Sequence, residues 1–252
     1  MLLAALISAQ LLSAPPIVVL DPGHGGEYDG AVGVCGLKEK DVVMAVAKET
    51  RDLLNQMGTV KAQLTRTSDE HVPLERRTAL ANEVGASLFV SIHANSSPSS
   101  RSKGIETFVL SRRIGDKYAQ AIIDRENSEG DAQEAQEKSP LGIILDQLEH
   151  SANQRTSQEF AHLAQDTLPQ ALGVRNRGVL QAPFRVLRGA KMPAILVEIG
   201  FLTHREECPK LALDTYQRQI AVALAGSIAH MQTQLDLSQA PSASAHPGSA
   251  PP

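Results

Sequence analysis

Along the chain, short unbroken apolar runs alternate with longer segments in which apolar positions recur every three or four residues. "PIVVLD" (16–21) is an apolar run bounded by Pro and Gly, the pattern of a strand buried on both faces. Residues 39–57, "EKDVVMAVAKETRDLLNQM", carry apolar side chains at 42, 43, 46, 53, 54 and 57 and are followed by Gly58. That spacing predicts a long amphipathic helix with a glycine stop. "VKAQLTR" (60–66) predicts a second strand, and "PLERRTALANEVG" (73–85) a helix that opens on Pro and closes on Gly. "ASLFVSIHAN" (86–95), "GIETFVL" (104–110) and "PAILVEIGFL" (193–202) read as further strands. The residues between the last two read as largely helical and polar, and a closing helix is expected over roughly 211–233.

Strands alternating with helices predict an α/β domain. Its expected form is three-layer α/β/α, with a mostly parallel twisted central sheet and a helical insertion. In such sheets ligands sit beyond the carboxyl ends of strands. His24, in the turn after the first strand, and His93 and Glu198, near the ends of later ones, all lie at such positions.

Composition narrows the picture. With 252 residues, 42% hydrophobic but only 3% aromatic and without Trp, the core must be aliphatic. A net charge of -4 and the lack of a dense Lys/Arg cluster argue against nucleic acid as a partner. Residues 2–14 carry no charged side chain, and the stretch is too short to span a bilayer. Residues 1–14 instead resemble the apolar region and small-residue end of a secretory signal, so export to the periplasm or cell envelope, without a stable membrane span, is expected. A catalytic domain is expected over 15–233. The segment 234–252, rich in Pro, Ser and Ala towards its end, is expected to be disordered. Cys35 and Cys208 form neither a disulfide framework nor a CxxC pair and read as two unpaired thiols, with a single pairing left open if the chain is exported.

A catalytic zinc site takes three ligands from His and Asp/Glu and leaves a position for water. His24 and His93 supply two, and Glu39, at the start of the long helix after the glycine-rich "GAVGVCG" (30–36), is the candidate third. Zinc acidifies water to a pKa of about 7, and hydrolysis then needs a carboxylate to move the proton. Glu198, in the otherwise apolar "ILVEIGF", fits that need, since burying a carboxylate without purpose is costly. Each residue has a plainer reading. Glu39 could be a first-turn acid favoured by the helix dipole, His93 a satisfied core histidine, and Glu198 a partner of Arg185 or Arg188.

The motifs "DPGHGG", "GLKEKDVVMAVA", "LTRTSDEHVPLERRTALAN", "FVSIHANS", "KGIETF" and "PAILVEIGFLT" occur in that order. Together they resemble the zinc-dependent N-acetylmuramoyl-L-alanine amidases, in their cell-division-type form, over residues 17 to about 230. The resemblance implies Zn2+ held by His24, Glu39 and His93, with Glu198 as base and acid. The substrate would be peptidoglycan, cleaved between N-acetylmuramic acid and L-alanine in wall remodelling or daughter-cell separation. Asn95 matches a site-lining position. The helical insertion, about 118–168, is similar to one in which a Glu before an Asn contacts the metal until an activator protein withdraws it, and Glu126 matches that Glu. Two rival readings keep the same residues: a zinc carboxypeptidase-like peptidase, for which Arg66, Arg76 or Arg77 would grip a carboxylate, and a non-catalytic wall-binding module.

Overall fold

The structure, a computed structural model, describes residues 14–111, 117–129 and 140–239, and most of the signal-like segment lies outside them. Six strands form one sheet: β1 (Ile17–Pro22), β2 (Lys61–Leu64), β3 (Leu88–Asn95), β4 (Ile105–Leu110), β5 (Asn176–Ala182) and β6 (Ala194–Phe201), in the order β2-β1-β3-β6-β4-β5. Every neighbouring pair is parallel except β4 with β6. The helices are α1 (Glu39–Met57), α2 (Leu74–Glu83), α3 (Lys117–Glu126), α4 (Pro140–Leu172), α5 (Glu207–Leu211) and α6 (Asp214–Gln239), with a 3-10 turn at Arg185–Leu187.

Alternation along the strands separates two cores. Val18 and Leu20 of β1, Val90 and Ile92 of β3, and Val197 and Ile199 of β6 pack with α1, α4 and α6. Val19, Phe89, Phe108 and Leu196 face the opposite way, with Leu74 and Ala81 of α2, Ile122 and Ile123 of α3, and the 3-10 turn. The expected three layers follow from this period of two. On the second face the apolar series gives way to polar residues towards the carboxyl ends of the parallel strands. Val19 is followed on that face by Asp21, Phe89 by Ser91, His93 and Asn95, and Leu196 by Glu198, all buried. That polar row is where the site forms.

Three expectations need correction. Cys35 and Cys208 are not free thiols but form a disulfide with Cα atoms 5.9 Å apart, across 173 positions of sequence. The fold brings the loop before α1 against α5, a proximity that spacing alone cannot reveal. The segment expected to be disordered from 234 continues α6 as far as Gln239, and the rest lies outside the described residues. The polar stretch after β4 also contains β5, an edge strand whose half-exposed residues hide its pattern.

Candidate metal centre and active site

The turn after β1 is built to bring a histidine onto the sheet edge. Gly23 N–H donates to the Ile92 carbonyl at 3.0 Å, tying the turn to β3. His24 then takes a left-handed backbone, φ 59°, a strain that non-glycine residues accept mainly at functional sites. Two glycines clear the space around it. A Cβ on Gly23 would stand 2.4 Å from the His93 ring, and one on Gly30 would stand 2.5 Å from the His24 ring and 2.7 Å from a Glu39 carboxylate oxygen. Arg66 and Arg77 hold the turn's carbonyls. Arg66 donates to Pro22 at 3.0 Å and Gly23 at 2.8 Å, and Arg77 to Pro22 at 2.9 Å and His24 at 3.0 Å. Arg77 also pairs with the buried Asp21 at 3.0 Å. Both arginines are thus committed to the turn, and Arg76 pairs with Glu83 on the surface.

Glu39, the first residue of α1, is fully buried. Its Oε2 accepts the Ala31 N–H at 2.8 Å and its Oε1 the Ala94 N–H at 2.9 Å, which fixes the carboxylate between the glycine-rich loop before α1 and β3. The same Oε1 lies 3.0 Å from His24 Nε2 and 3.1 Å from His93 Nδ1. Glu126, the last residue of α3, brings Oε2 to 2.7 Å from His93 Nδ1 and 3.3 Å from His24 Nε2. One ligand atom from each of His24, Glu39, His93 and Glu126 lies within 4.8 Å of the others, and all four residues are buried.

The cluster could hold a metal ion, and its unsatisfied atoms point the same way. His24 Nε2 and Glu126 Oε2 are buried without hydrogen bonds despite facing one another. A cation among them would satisfy donors that hydrogen bonding leaves orphaned. Electrostatics agree. Burial would lower the pKa of His24, but Glu39 and Glu126 raise it well above the imidazole range. Burial likewise opposes the proton on His93, yet Glu126 and Glu39 push its pKa up to about 10. Burial raises Glu39 and Glu126, and the histidines, with Arg125 beside Glu126, overcome this and hold both below the usual carboxylate range. The field of the cluster favours positive charge at its centre.

Glu198 behaves oppositely. It stands beside His93 in the β3–β6 register, fully buried, and neither oxygen finds a hydrogen-bond donor among the described residues. Burial raises its pKa, the Glu126 and Glu39 carboxylates raise it further, and Arg125 and His93 only partly oppose them. Arg125 Nη2 is its nearest cation, 3.8 Å from Oε1, whereas Arg185 pairs with Glu75 and Arg188 donates to the Pro183 carbonyl. Glu198 is therefore not neutralised by either arginine named from sequence.

Several neighbours were not singled out by sequence reasoning. Glu129 bonds His24 Nδ1 and lies 3.6 Å from Arg77. Arg125 donates to Glu126 at 2.7 Å, to the Ser96 carbonyl at 3.0 Å and to Asn95 Oδ1 at 3.3 Å. Glu106 of β4, directly opposite Glu198, accepts from Asn95 at 2.5 Å and from Arg177 at 2.7 Å. "KGIETF" was visible as a motif, but only the pairing of β4 with β6 reveals that Glu106 stands opposite Glu198, and only the packing of α3 brings Arg125 to Asn95.

The family model described as N-acetylmuramoyl-L-alanine amidase (Amidase_3) matches residues 18–230. The chain is 35% identical to the N-acetylmuramoyl-L-alanine amidase AmiA of Escherichia coli K12, over 84% of this chain and 74% of that protein. It is 33% identical to AmiC of Escherichia coli O6:H1, over 85% of this chain but only 52% of that relative, so it spans about half of the latter's length. Among solved structures, the amidase AmiC2 of Nostoc punctiforme superposes with a TM-score of 0.67 at 34% identity, covering 86% of this chain and 97% of that one. The catalytic domain of CwlV from Paenibacillus polymyxa gives a TM-score of 0.67 at 28% identity, covering 86% and 98%. With the matched family spanning the whole sheet and the buried His/Glu cluster at its edge, the chain belongs to the N-acetylmuramoyl-L-alanine amidase family.

Proposed function

We propose that this amidase hydrolyses the bond between the lactyl group of N-acetylmuramic acid and the first L-alanine of peptidoglycan, with His24, Glu39 and His93 holding zinc and Glu198 moving the proton. The observation that carries the reading is the buried meeting of two imidazoles and a carboxylate beside a second carboxylate without a hydrogen-bond donor at the sheet's carboxyl edge. Two His and one carboxylate suit zinc with a position left open. Bound there, zinc would supply Lewis acidity, polarising the lactyl carbonyl and acidifying water. Glu198 accepts the proton of the attacking water and delivers it to the alanine nitrogen as the C–N bond breaks. Its burial keeps this carboxyl basic enough to take the proton, and the nearby cation keeps it able to give the proton up.

Glu126 occupies the centre from α3, and Arg125 lies beside Glu198. This supports a closed state in which the insertion masks both the donors and the proton carrier until an activator protein withdraws it. The Cys35–Cys208 disulfide supports export, because such bonds persist mainly in oxidising compartments. Among the described residues no helix is long and apolar enough to cross a membrane.

The test is metal analysis together with digestion of purified walls and identification of the new ends. A free lactyl carboxyl and a new L-alanine amino terminus are expected, whereas cleavage within the stem would establish the peptidase reading. Glu198→Gln should keep its metal and lose kcat by roughly 10²–10⁴-fold. Glu126→Ala should accelerate cleavage roughly tenfold or more if the closed form dominates, and unchanged rates would remove the gating role.

A further inference from the structure

Asn95 has its amide orientation fixed from two sides. Its Nδ2 donates to Glu106 Oε1 at 2.5 Å, and a carboxylate can only accept. Its Oδ1 therefore faces the other way, where it accepts from Arg125 Nη2 at 3.3 Å. That same guanidinium nitrogen lies 3.8 Å from Glu198 Oε1. A nitrogen carrying hydrogen thus stands between Asn95 Oδ1 and the proposed proton carrier, delivered by α3, the element proposed to cover the site.

The scissile amide presents a nitrogen with the same needs. Its hydrogen requires an acceptor, and its lone pair, released as the carbonyl carbon becomes tetrahedral, must face a proton donor. We infer that Asn95 is a catalytic residue, its Oδ1 accepting the N–H of the scissile nitrogen so that the lone pair turns towards Glu198, and that Glu106 is a positioning residue that sets Asn95's orientation. Arg125 holds this place in the structure described. The inference rests on the amidase reading above.

Glu106 is suited to the task by its own surroundings. It is fully buried on β4, in register with Glu198 across the antiparallel β4–β6 pair, so both side chains rise from the same face. Its second oxygen accepts from Arg177 at 2.7 Å, and Arg177 lies over the Phe201 ring at 4.9 Å. A register shift between β3 and β6 falls at His93–Asn95, with three residues of β6, Glu198 to Phe201, advancing against two of β3. Irregularities of this kind re-aim side chains beside active sites. None of this geometry involves a metal ligand atom, so the role is separable from metal retention.

The partner chemistry suggests a swap that a purely structural role would not explain. In Glu106→Gln one oxygen must serve two donors, Asn95 and Arg177. The conflict is relieved when Asn95 flips and turns Nδ2 towards the site. In Asn95→Asp two carboxylates face each other. When Asn95→Asp and Glu106→Gln are combined, the new amide on β4 accepts from Arg177 and donates to the new carboxylate on β3. The other oxygen of that carboxylate again faces the site.

The experiment measures kcat and KM on a soluble muropeptide for the full chain, in wild-type and Glu126→Ala backgrounds, alongside melting temperature and bound metal. Asn95→Ala and each conservative single variant should lower kcat roughly 10- to 100-fold with KM little changed. The double variant should recover most of that loss while metal content stays at the wild-type level. If the double variant is no faster than the singles, or if Asn95→Ala leaves kcat intact in a background that cleaves, the inference fails while the amidase reading stands. If neither background cleaves the muramoyl amide, both fall.

Discussion

At the base of the DPGHGG turn, Asp21 is fully buried and accepts from Thr65 at 2.5 Å, Ser91 at 2.7 Å and Arg77 at 3.0 Å. Burial works to raise its pKa, and Arg77 with the two hydroxyls outweighs it, leaving the carboxyl below the ordinary Asp value. A depressed folded pKa contributes stability above the unfolded value, and that stability is lost as pH falls through the folded one. Asp21→Asn should cost up to about 3 kcal/mol at neutral pH, because Arg77 loses its closer carboxylate and keeps only Glu129, 3.6 Å away. Its urea midpoint should also depend less on pH below about 4 than the wild type's. Gly30, at φ 67° with no room for a Cβ beside His24 and Glu39, makes a complementary prediction. Gly30→Ala should weaken retention of the proposed zinc ion against a chelator, because the added methyl displaces the ring or the carboxylate. His24, His93 and Glu198 could be picked from sequence because polar side chains punctuate or follow apolar runs at strand ends, and Glu39 because it opens a helix behind a glycine-rich loop. Glu129 could not, because it sits in a polar run, "SEGDAQEAQEKS", where nothing distinguishes one acid from the next.

Among the elements, α3 is the one proposed to close the site, since it carries Glu126 to the histidines. Ile122 and Ile123 bury its apolar side, and Asn127 fastens its end: the Arg185 backbone donates to Asn127 Oδ1 at 2.8 Å and the Arg185 guanidinium to its carbonyl at 2.9 Å. Asn127 Nδ2 reaches the Pro183 carbonyl at 3.3 Å. Asn127→Ala removes two of these bonds without touching any donor of the metal cluster. It should speed amide exchange across 117–129 and raise wall hydrolysis in the same direction as Glu126→Ala. Fast exchange without faster hydrolysis would separate mobility of α3 from gating. The strands on either side of the insertion were unequally legible. β3 and β6 are buried on both faces, so their largely apolar runs announce them. β5, half-buried at the sheet edge with Gly178 at φ 92°, offers neither an apolar run nor clean alternation.

For the molecule as a whole, the Cys35–Cys208 bond joins the loop leading to Glu39 with α5, just beyond β6. Removing it as Cys35→Ser/Cys208→Ser should cost about 2–5 kcal/mol, since the bond closes a long loop in the unfolded chain. For a domain of this size that corresponds to a melting temperature lower by roughly 5–15 °C, and mild reduction of the wild type should produce the same shift. Topology carries a further consequence. β6 is the last of the described strands to be synthesised, yet it lies between β3 and β4 in the interior of the sheet and carries Glu198. Until it inserts, the sheet stays split and the proposed proton carrier is missing, whatever the state of the earlier strands. Pairings this distant in sequence form late. A lytic protein built in this way stays harmless to the cell that makes it while its synthesis is unfinished, and chains truncated before residue 194 should neither fold nor cut.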